Sequence, residues 1–197
     1  TRAEKLSATI FSNSSSLVNR RIPNGTYGGV RGRGLVAPSY SILVYWSGGV
    51  AMLTVGTKAP LFAAESTKGR IDLQTFIGKK KIVLIFYPGD DTPVCTKQLC
   101  AIRDRYSDLE AADAVVIGIN PADLTSHRAF SGKFGYDFPL IADGDHAIRK
   151  AYGVGKVLGF LFQQRIVYII DKHGMIAYAR KGNPAVTELL QVMNHIS

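Results

Sequence analysis

From Met52 onward, apolar runs of strand length alternate with stretches whose apolar positions recur every three or four residues. Lys81 to Tyr87 (KIVLIFY) is continuously apolar after its first residue and ends at Pro88-Gly89. Ala114–Ile119 (AVVIGI), Phe138–Ala142 (FPLIA), Ile166–Ile170 (IVYII) and Met175–Ala179 follow. Runs that are apolar on both faces suit strands covered by helices on both sides. Lys172-His173-Gly174 between the last two reads as a hairpin turn. The stretches between predict helices at Pro93–Ala112, Asp123–Phe134, His146–Tyr152 and Pro184–Ile196. In the first, Leu99, Ile102, Tyr106 and Leu109 make one stripe facing a sheet. Val55 to Leu73 predicts a small N-terminal hairpin turning at Thr67-Lys68-Gly69. The order predicts an α/β fold: a three-layer sandwich with a mixed central sheet and an antiparallel edge.

Residues 1–51 break this pattern. They hold eight of the thirteen serines and no sustained helix or strand period. They also hold six Lys/Arg against one acid, Glu4, whereas the remainder carries eighteen Lys/Arg against fourteen Asp/Glu. Much of the net charge of +9 therefore sits here. The composition fits a disordered leader, transit-like or non-native, ahead of a domain at 52–197. An RGRG-type arm (Arg31-Gly32-Arg33-Gly34) would be the basis of a basic binding protein, the competing function class. The uncharged stretch between Arg33 and Lys58 is diluted by Pro38, Gly48, Gly49 and hydroxyls, so no membrane span is expected.

Two cysteines cannot fill a four-ligand zinc site, and His127, His146, His173 and His195 stand too far apart in the chain to complete one. No metal and no cofactor are expected. Both cysteines instead occur in one run, Phe86-Tyr87-Pro88-Gly89-Asp90-Asp91-Thr92-Pro93-Val94-Cys95-Thr96-Lys97-Gln98-Leu99-Cys100, where a buried strand ends and a helix begins. Thr92 followed by Pro93 reads as an N-cap followed by proline at the first helical position. That puts Cys95 in the first turn, where unpaired N–H groups and the helix dipole favour a thiolate. Asp90-Asp91 is expected to serve the same helix start. Cys-x-x-Cys closes a disulfide within one turn, but here four residues intervene. Five steps along a helix separate Cα atoms by roughly 8.6 Å, beyond the ~7 Å a disulfide tolerates. Any bond between the two requires the helix to open.

This run is similar to that of peroxiredoxins of the bacterioferritin-comigratory-protein or Q type. The P-x-x-x-T-x-x-C motif is complete as Pro88, Thr92 and Cys95, and Arg103–Tyr106, Gly118-Ile119, Ser126-His127, Phe138–Leu140 and Ala151–Val154 match further pieces. The family's active-site arginine, ahead of a strand ending in Ile-Asp, is Arg165 before Ile166–Asp171. The resemblance implies a thioredoxin-like fold and thiol-dependent reduction of hydrogen peroxide and organic hydroperoxides. It implies Cys95 as the peroxidatic thiol, Cys100 as the resolving thiol, and an intramolecular disulfide recycled by thioredoxin or a similar thiol reductant. Thr92 would orient the peroxide, Arg165 would hold the thiolate, and Pro88 would shape the loop and shield the sulfur. Two departures stand out: Val167 where the family often has Thr or Ser, and Gln98 where it often has an acid. A thioredoxin-like thiol-disulfide oxidoreductase is the other alternative. Neither a nucleic-acid partner nor stable membrane association is expected, and a monomer rather than a large oligomer is. The location is expected to be cytoplasmic, or a plastid or mitochondrion if residues 1–51 are a transit peptide.

Overall fold

The computed structural model describes residues 51–157 and 162–196; the leader and membrane-span readings fall on residues almost wholly outside these. The first hairpin pairs β1 (Ala63–Ser66) with β2 (Gly69–Asp72). Its turn is closed by the Ser66 hydroxyl, which donates to Gly69 O at 2.6 Å and accepts from Lys68 N. A single 3-10 turn, Leu73–Thr75, leads into β3 (Lys81–Phe86). Beyond the loop Tyr87–Thr92 come α1 (Pro93–Arg103), α2 (Tyr106–Ala111) and β4 (Ala114–Asn120). Then follow α3 (Leu124–Phe134), β5 (Leu140–Ala142) and α4 (Ala147–Ala151). A two-residue ribbon, β6 (Lys156–Val157) and β7 (Phe162–Gln163), precedes β8 (Ile166–Ile170), β9 (Ile176–Lys181) and α5 (Val186–Asn194).

Seven strands form one sheet in the order β2-β1-β5-β4-β3-β8-β9. β5, β4 and β3 are parallel, and β8 and β9 continue antiparallel. The mixed sheet with an antiparallel edge is as the pattern predicts. Alternation along the central strands feeds two cores. Val83 and Ile85 of β3 join Leu99, Ile102, Leu109, Phe130, Val167, Leu189 and Met193 on one face. Ile82, Leu84 and Phe86 join Ile117, Ile141, Ile148, Tyr152 and Tyr168 on the other. Burying a large apolar side chain contributes about 1.5–3 kcal/mol before chain entropy is counted, so these strands carry most of the fold's driving force. Tyr152 and Tyr168 are buried by their rings but polar at the tip. Each donates its hydroxyl to a carbonyl, of Pro60 at 2.8 Å and of Tyr152 itself at 2.7 Å respectively. Burial raises the Tyr168 phenol to about 12.

The turn before β9 also follows the sequence. Gly174 adopts φ +80°, a left-handed conformation that costs glycine little. Asp171 Oδ1 accepts from the N–H of His173 and of Met175. One prediction needs correction. Pro93–Ala112 is two helices, not one, because the backbone leaves helical angles at Arg105 (φ −123°, ψ 23°). The side chains at the break are paired locally. Arg103 donates to Asp104 and to Phe134 O, and Arg105 donates to Asp108. The stripe survives, with Leu99, Ile102 and Leu109 buried. The short β6–β7 ribbon was not predicted, since two residues per strand leave no period to read.

Candidate active site

β3 ends at Phe86, whose antiparallel partner is Ile166, the first residue of β8. That register places Arg165 beside the end of β3, next to the loop that enters α1. Pro88 and Gly89, half-buried, begin the descent of this loop. Thr92 is extended (φ −79°, ψ 138°), and Pro93 opens the helix. The Thr92 carbonyl accepts from Thr96 N at 2.9 Å, so Thr92 holds the N-cap position. Its hydroxyl does not cap. It turns back into the loop and donates to Gly89 O at 3.3 Å. Cys95, the third helical residue, is fully buried against the sheet.

Arg165 points Nη2 at Cys95 Sγ, 3.0 Å away, and donates through Nη1 to Gln98 Oε1. Gln98 lies one turn beyond Cys95 and is itself buried. A planar guanidinium with one arm held by a buried amide has little freedom to swing away from the sulfur. Val167, two residues after the arginine, is packed in the core and offers no hydroxyl. Arginine positioning therefore falls to Gln98. A neutral amide orients the cation without cancelling its charge.

Cys100 lies on another flank of α1, about 140° around the axis from Cys95. Its Sγ sits 3.7 Å from Tyr136 Oη, beside an aromatic group in which Tyr136 stacks on Phe134 and on Phe138. Burial, helped by the contact with Cys100, holds the Tyr136 phenol well above its ordinary value. Both thiols are free, and α1 is continuous between them. The structure thus brings together Cys95 and Arg165, with Thr92 and Pro88 in the adjoining loop, while Cys100 points elsewhere.

Asp90 and Asp91 do not serve the start of α1 as expected. Both reach α3. Asp90 Oδ2 is 2.8 Å from His127 Nδ1, and Asp91 Oδ1 is 2.6 Å from Lys133 Nζ. Asp90 Oδ1 also accepts from the Tyr87 hydroxyl at 2.9 Å and from Asn120 Nδ2 at 2.8 Å. Burial and the neighbouring Asp90 keep Tyr87 protonated, with its phenol far above its ordinary value. The sequence reading did not assign this cluster a role. Tyr87, Asp90 and His127 all lie in the pieces that carry the resemblance, but Asn120 left no such mark.

The family model described as AhpC/TSA matches residues 55–179. The chain belongs to the AhpC/TSA family. Peroxiredoxin Q, chloroplastic, of Triticum aestivum is 41% identical over 124 residues, covering 62% of this chain and 57% of that protein. The protein of the same name from Sedum lineare is 39% identical over 127 residues, covering 64% and 68%. The chain thus spans less than two thirds of the wheat protein's length. Peroxidoxin BcpB from Mycobacterium tuberculosis superposes with a TM-score of 0.68 at 23% identity, over 75% of this chain and 99% of that one. The AhpC/TSA match and this superposition confirm the thioredoxin-like arrangement, and the relatives' names agree with the resemblance to Q-type peroxiredoxins.

Proposed function

We propose that the chain reduces hydroperoxides through Cys95. The observation that carries this reading is the 3.0 Å approach of the Arg165 guanidinium to a buried sulfur in the first turn of a helix. The Cys95 thiolate attacks one peroxide oxygen, and the O–O bond breaks. The sulfur becomes a sulfenic acid, and the departing oxygen takes a proton to leave as water or an alcohol. Arg165 and the free N–H groups of the first turn face the charge that develops on oxygen. Thr92 orients the peroxide, and Pro88 keeps the loop closed over the sulfur. The Cys100 thiol then attacks the sulfenic sulfur, an S–S bond forms, and the sulfenic oxygen leaves as water. A dithiol of the thioredoxin kind reduces the disulfide, and one chain suffices for the cycle.

The names of the plant relatives support a plastid over the cytoplasm, with residues 1–51 as the transit segment. The deciding assay couples hydroperoxide consumption to NADPH through thioredoxin and thioredoxin reductase. Peroxide-dependent NADPH loss that vanishes in Cys95→Ser is expected. Direct reduction of insulin without peroxide turnover would point instead to a thiol-disulfide oxidoreductase. No peroxide turnover by the full chain, with a binding function that is lost on removal of residues 1–51, would point to a basic binding protein.

A further inference from the structure

Two ties hold the loop ahead of α1 to α3, and they differ in kind. Asp91 and Lys133 are both more than half exposed, and such surface pairs contribute little. The Asp90–His127 pair is buried: the His127 side chain has no exposure, and Asp90 is 10% exposed. Its proton inventory follows from its partners. His127 Nε2 lies 3.1 Å from the carbonyl of Ile141 in β5. A carbonyl only accepts, so Nε2 carries a hydrogen. Nδ1 faces a carboxyl oxygen, so one further proton must lie between His127 and Asp90 to close that bond. Asn120 cannot supply it, because its Oδ1 accepts from Ala122 N at 2.6 Å, which fixes its amide with Nδ2 toward Asp90. Asp90 thus joins β3, through Tyr87, to β4, α3 and β5 at one point.

Only Asp91 and Thr92 separate that point from α1. The first turns of α1 are the part of the helix that must unwind before Cys95 and Cys100 can bond, since intact helix holds their Cα atoms roughly 8.6 Å apart. Tyr136, just beyond α3, also contacts Cys100. The same region of the fold therefore grips the chain on both sides of Cys95.

Resting on the peroxide-reducing reading above, we propose that the Asp90–His127 hydrogen bond is a positioning clasp. It sets how often the loop and first turns of α1 open, and so how the Cys95 sulfenic acid divides between two fates. In one, Cys100 sulfur bonds to Cys95 sulfur and the sulfenic oxygen leaves as water. In the other, a second hydroperoxide transfers an oxygen to the same sulfur, giving a sulfinic acid and leaving water or an alcohol. A tighter clasp keeps Cys95 at Arg165 and favours the second fate; a looser one favours the disulfide.

Two substitutions separate the clasp from a merely structural histidine. His127→Asn keeps an amide N–H where Nδ1 points, toward Asp90. His127→Gln keeps one where Nε2 points, toward Ile141 O. Amide exchange of Thr96, Lys97 and Gln98, the first bonded amides of α1, in the reduced protein should rise roughly tenfold in His127→Gln, the loss of one hydrogen bond to a buried group. It should stay within about threefold of wild type in His127→Asn. After a hydroperoxide pulse, mass spectrometry should find the ratio of sulfinic acid to disulfide lowered in His127→Gln by a similar factor. Equal exchange in the two variants, or a lower melting temperature with an unchanged ratio, overturns the clasp. If His127→Gln does not fold, Tyr87→Phe removes one hydroxyl from the same carboxylate and should raise exchange about threefold; no rise overturns the proposal. A wild type that hydroperoxide leaves unoxidised at Cys95 would end the peroxide-reducing reading, and the exchange data, which need no peroxide, would then decide the clasp alone.

Discussion

Arg165 and Cys95 are 70 residues apart in the chain and 3.0 Å apart in space, Nη2 to Sγ. Strand register makes the meeting: Phe86 of β3 pairs with Ile166 of β8, so the residue before β8 lands beside the loop after β3. At pH 7, Arg165→Ala should slow alkylation of Cys95 by iodoacetamide about tenfold or more, because an adjacent cation favours the reactive anion. Arg165→Lys should retain part of the rate. Gln98→Glu keeps the acceptor for Nη1 but adds a negative charge beside the cation, so alkylation should slow by roughly three- to tenfold. Rates unchanged in all three would mean that another group provides the charge.

Asp113 makes a pH dependence at the surface. It bonds Lys172 and also Lys80, at 2.9 Å for the latter. These lysines, Lys172 first, hold its carboxyl at about 2, below the ordinary 3.8. A depressed folded value means that the pair stabilises the fold above about pH 4 and is lost as the pH falls toward 2. Asp113→Asn tolerates the same left-handed backbone (φ +60°) and removes the charge. Urea unfolding should show a small, salt-sensitive deficit for the variant at pH 6 that closes between pH 4 and pH 2. A deficit constant with pH would show that the carboxylate's ionisation is not what the lysines stabilise.

Gly118 tests how closely β4 approaches its neighbours. A Cβ there would lie 2.6 Å from Leu140 Cδ2 and 3.3 Å from Tyr87 Cε1. Leu140 is fully buried, so its methyl cannot swing clear at no cost. Gly118→Ala should destabilise by about 1–3 kcal/mol through overpacking. Adding Leu140→Ala makes room for the new methyl. The double variant should therefore be more stable than the sum of the two single changes by about 1 kcal/mol in chemical denaturation. Strict additivity would mean that the strand accommodates Cβ by shifting its backbone.

The parts of this molecule legible in its sequence are those governed by local period and local chemistry. The five apolar runs read after Lys80 became strands of the sheet, and Thr92-Pro93 marked the start of α1 to the residue. Cys95 could be placed because a helix start is a sequence signal. The break at Arg105 was hidden, because Leu99, Ile102, Tyr106 and Leu109 keep a helical spacing across it. Thr92 is the N-cap residue as read, but its hydroxyl's choice of Gly89 O depends on the shape of the whole loop. Asp90, Asn120 and His127 come from a loop, a strand end and a helix, and no spacing rule relates them. Only folding three parallel strands side by side brings them to one carboxylate.

Cys100 carries the last prediction. If it resolves the sulfenic acid, Cys100→Ser should still consume one equivalent of hydroperoxide, since Cys95 and Arg165 are untouched. Turnover with thioredoxin should fall sharply, because no intramolecular disulfide forms, and a second equivalent of hydroperoxide should carry the stalled sulfenic acid on to sulfinic acid. In the wild type, oxidation should cost helix. Both cysteines lie within the unbroken α1, on flanks about 140° apart, so bonding them must unwind the turns between. Far-UV circular dichroism should lose helical signal on oxidation and regain it on reduction, and amides from Thr96 to Ile102 should exchange faster in the oxidised form. Cys100 must also leave its place beside Tyr136. Tyr136→Phe, which removes that polar contact and keeps the ring, should speed disulfide formation modestly while leaving the first oxidation of Cys95 unchanged. A Cys95–Cys100 bond within one chain, found by mass spectrometry, is the outcome that fits. An oxidised form with Cys100 still free, or with bonds only between chains, would sink its resolving role.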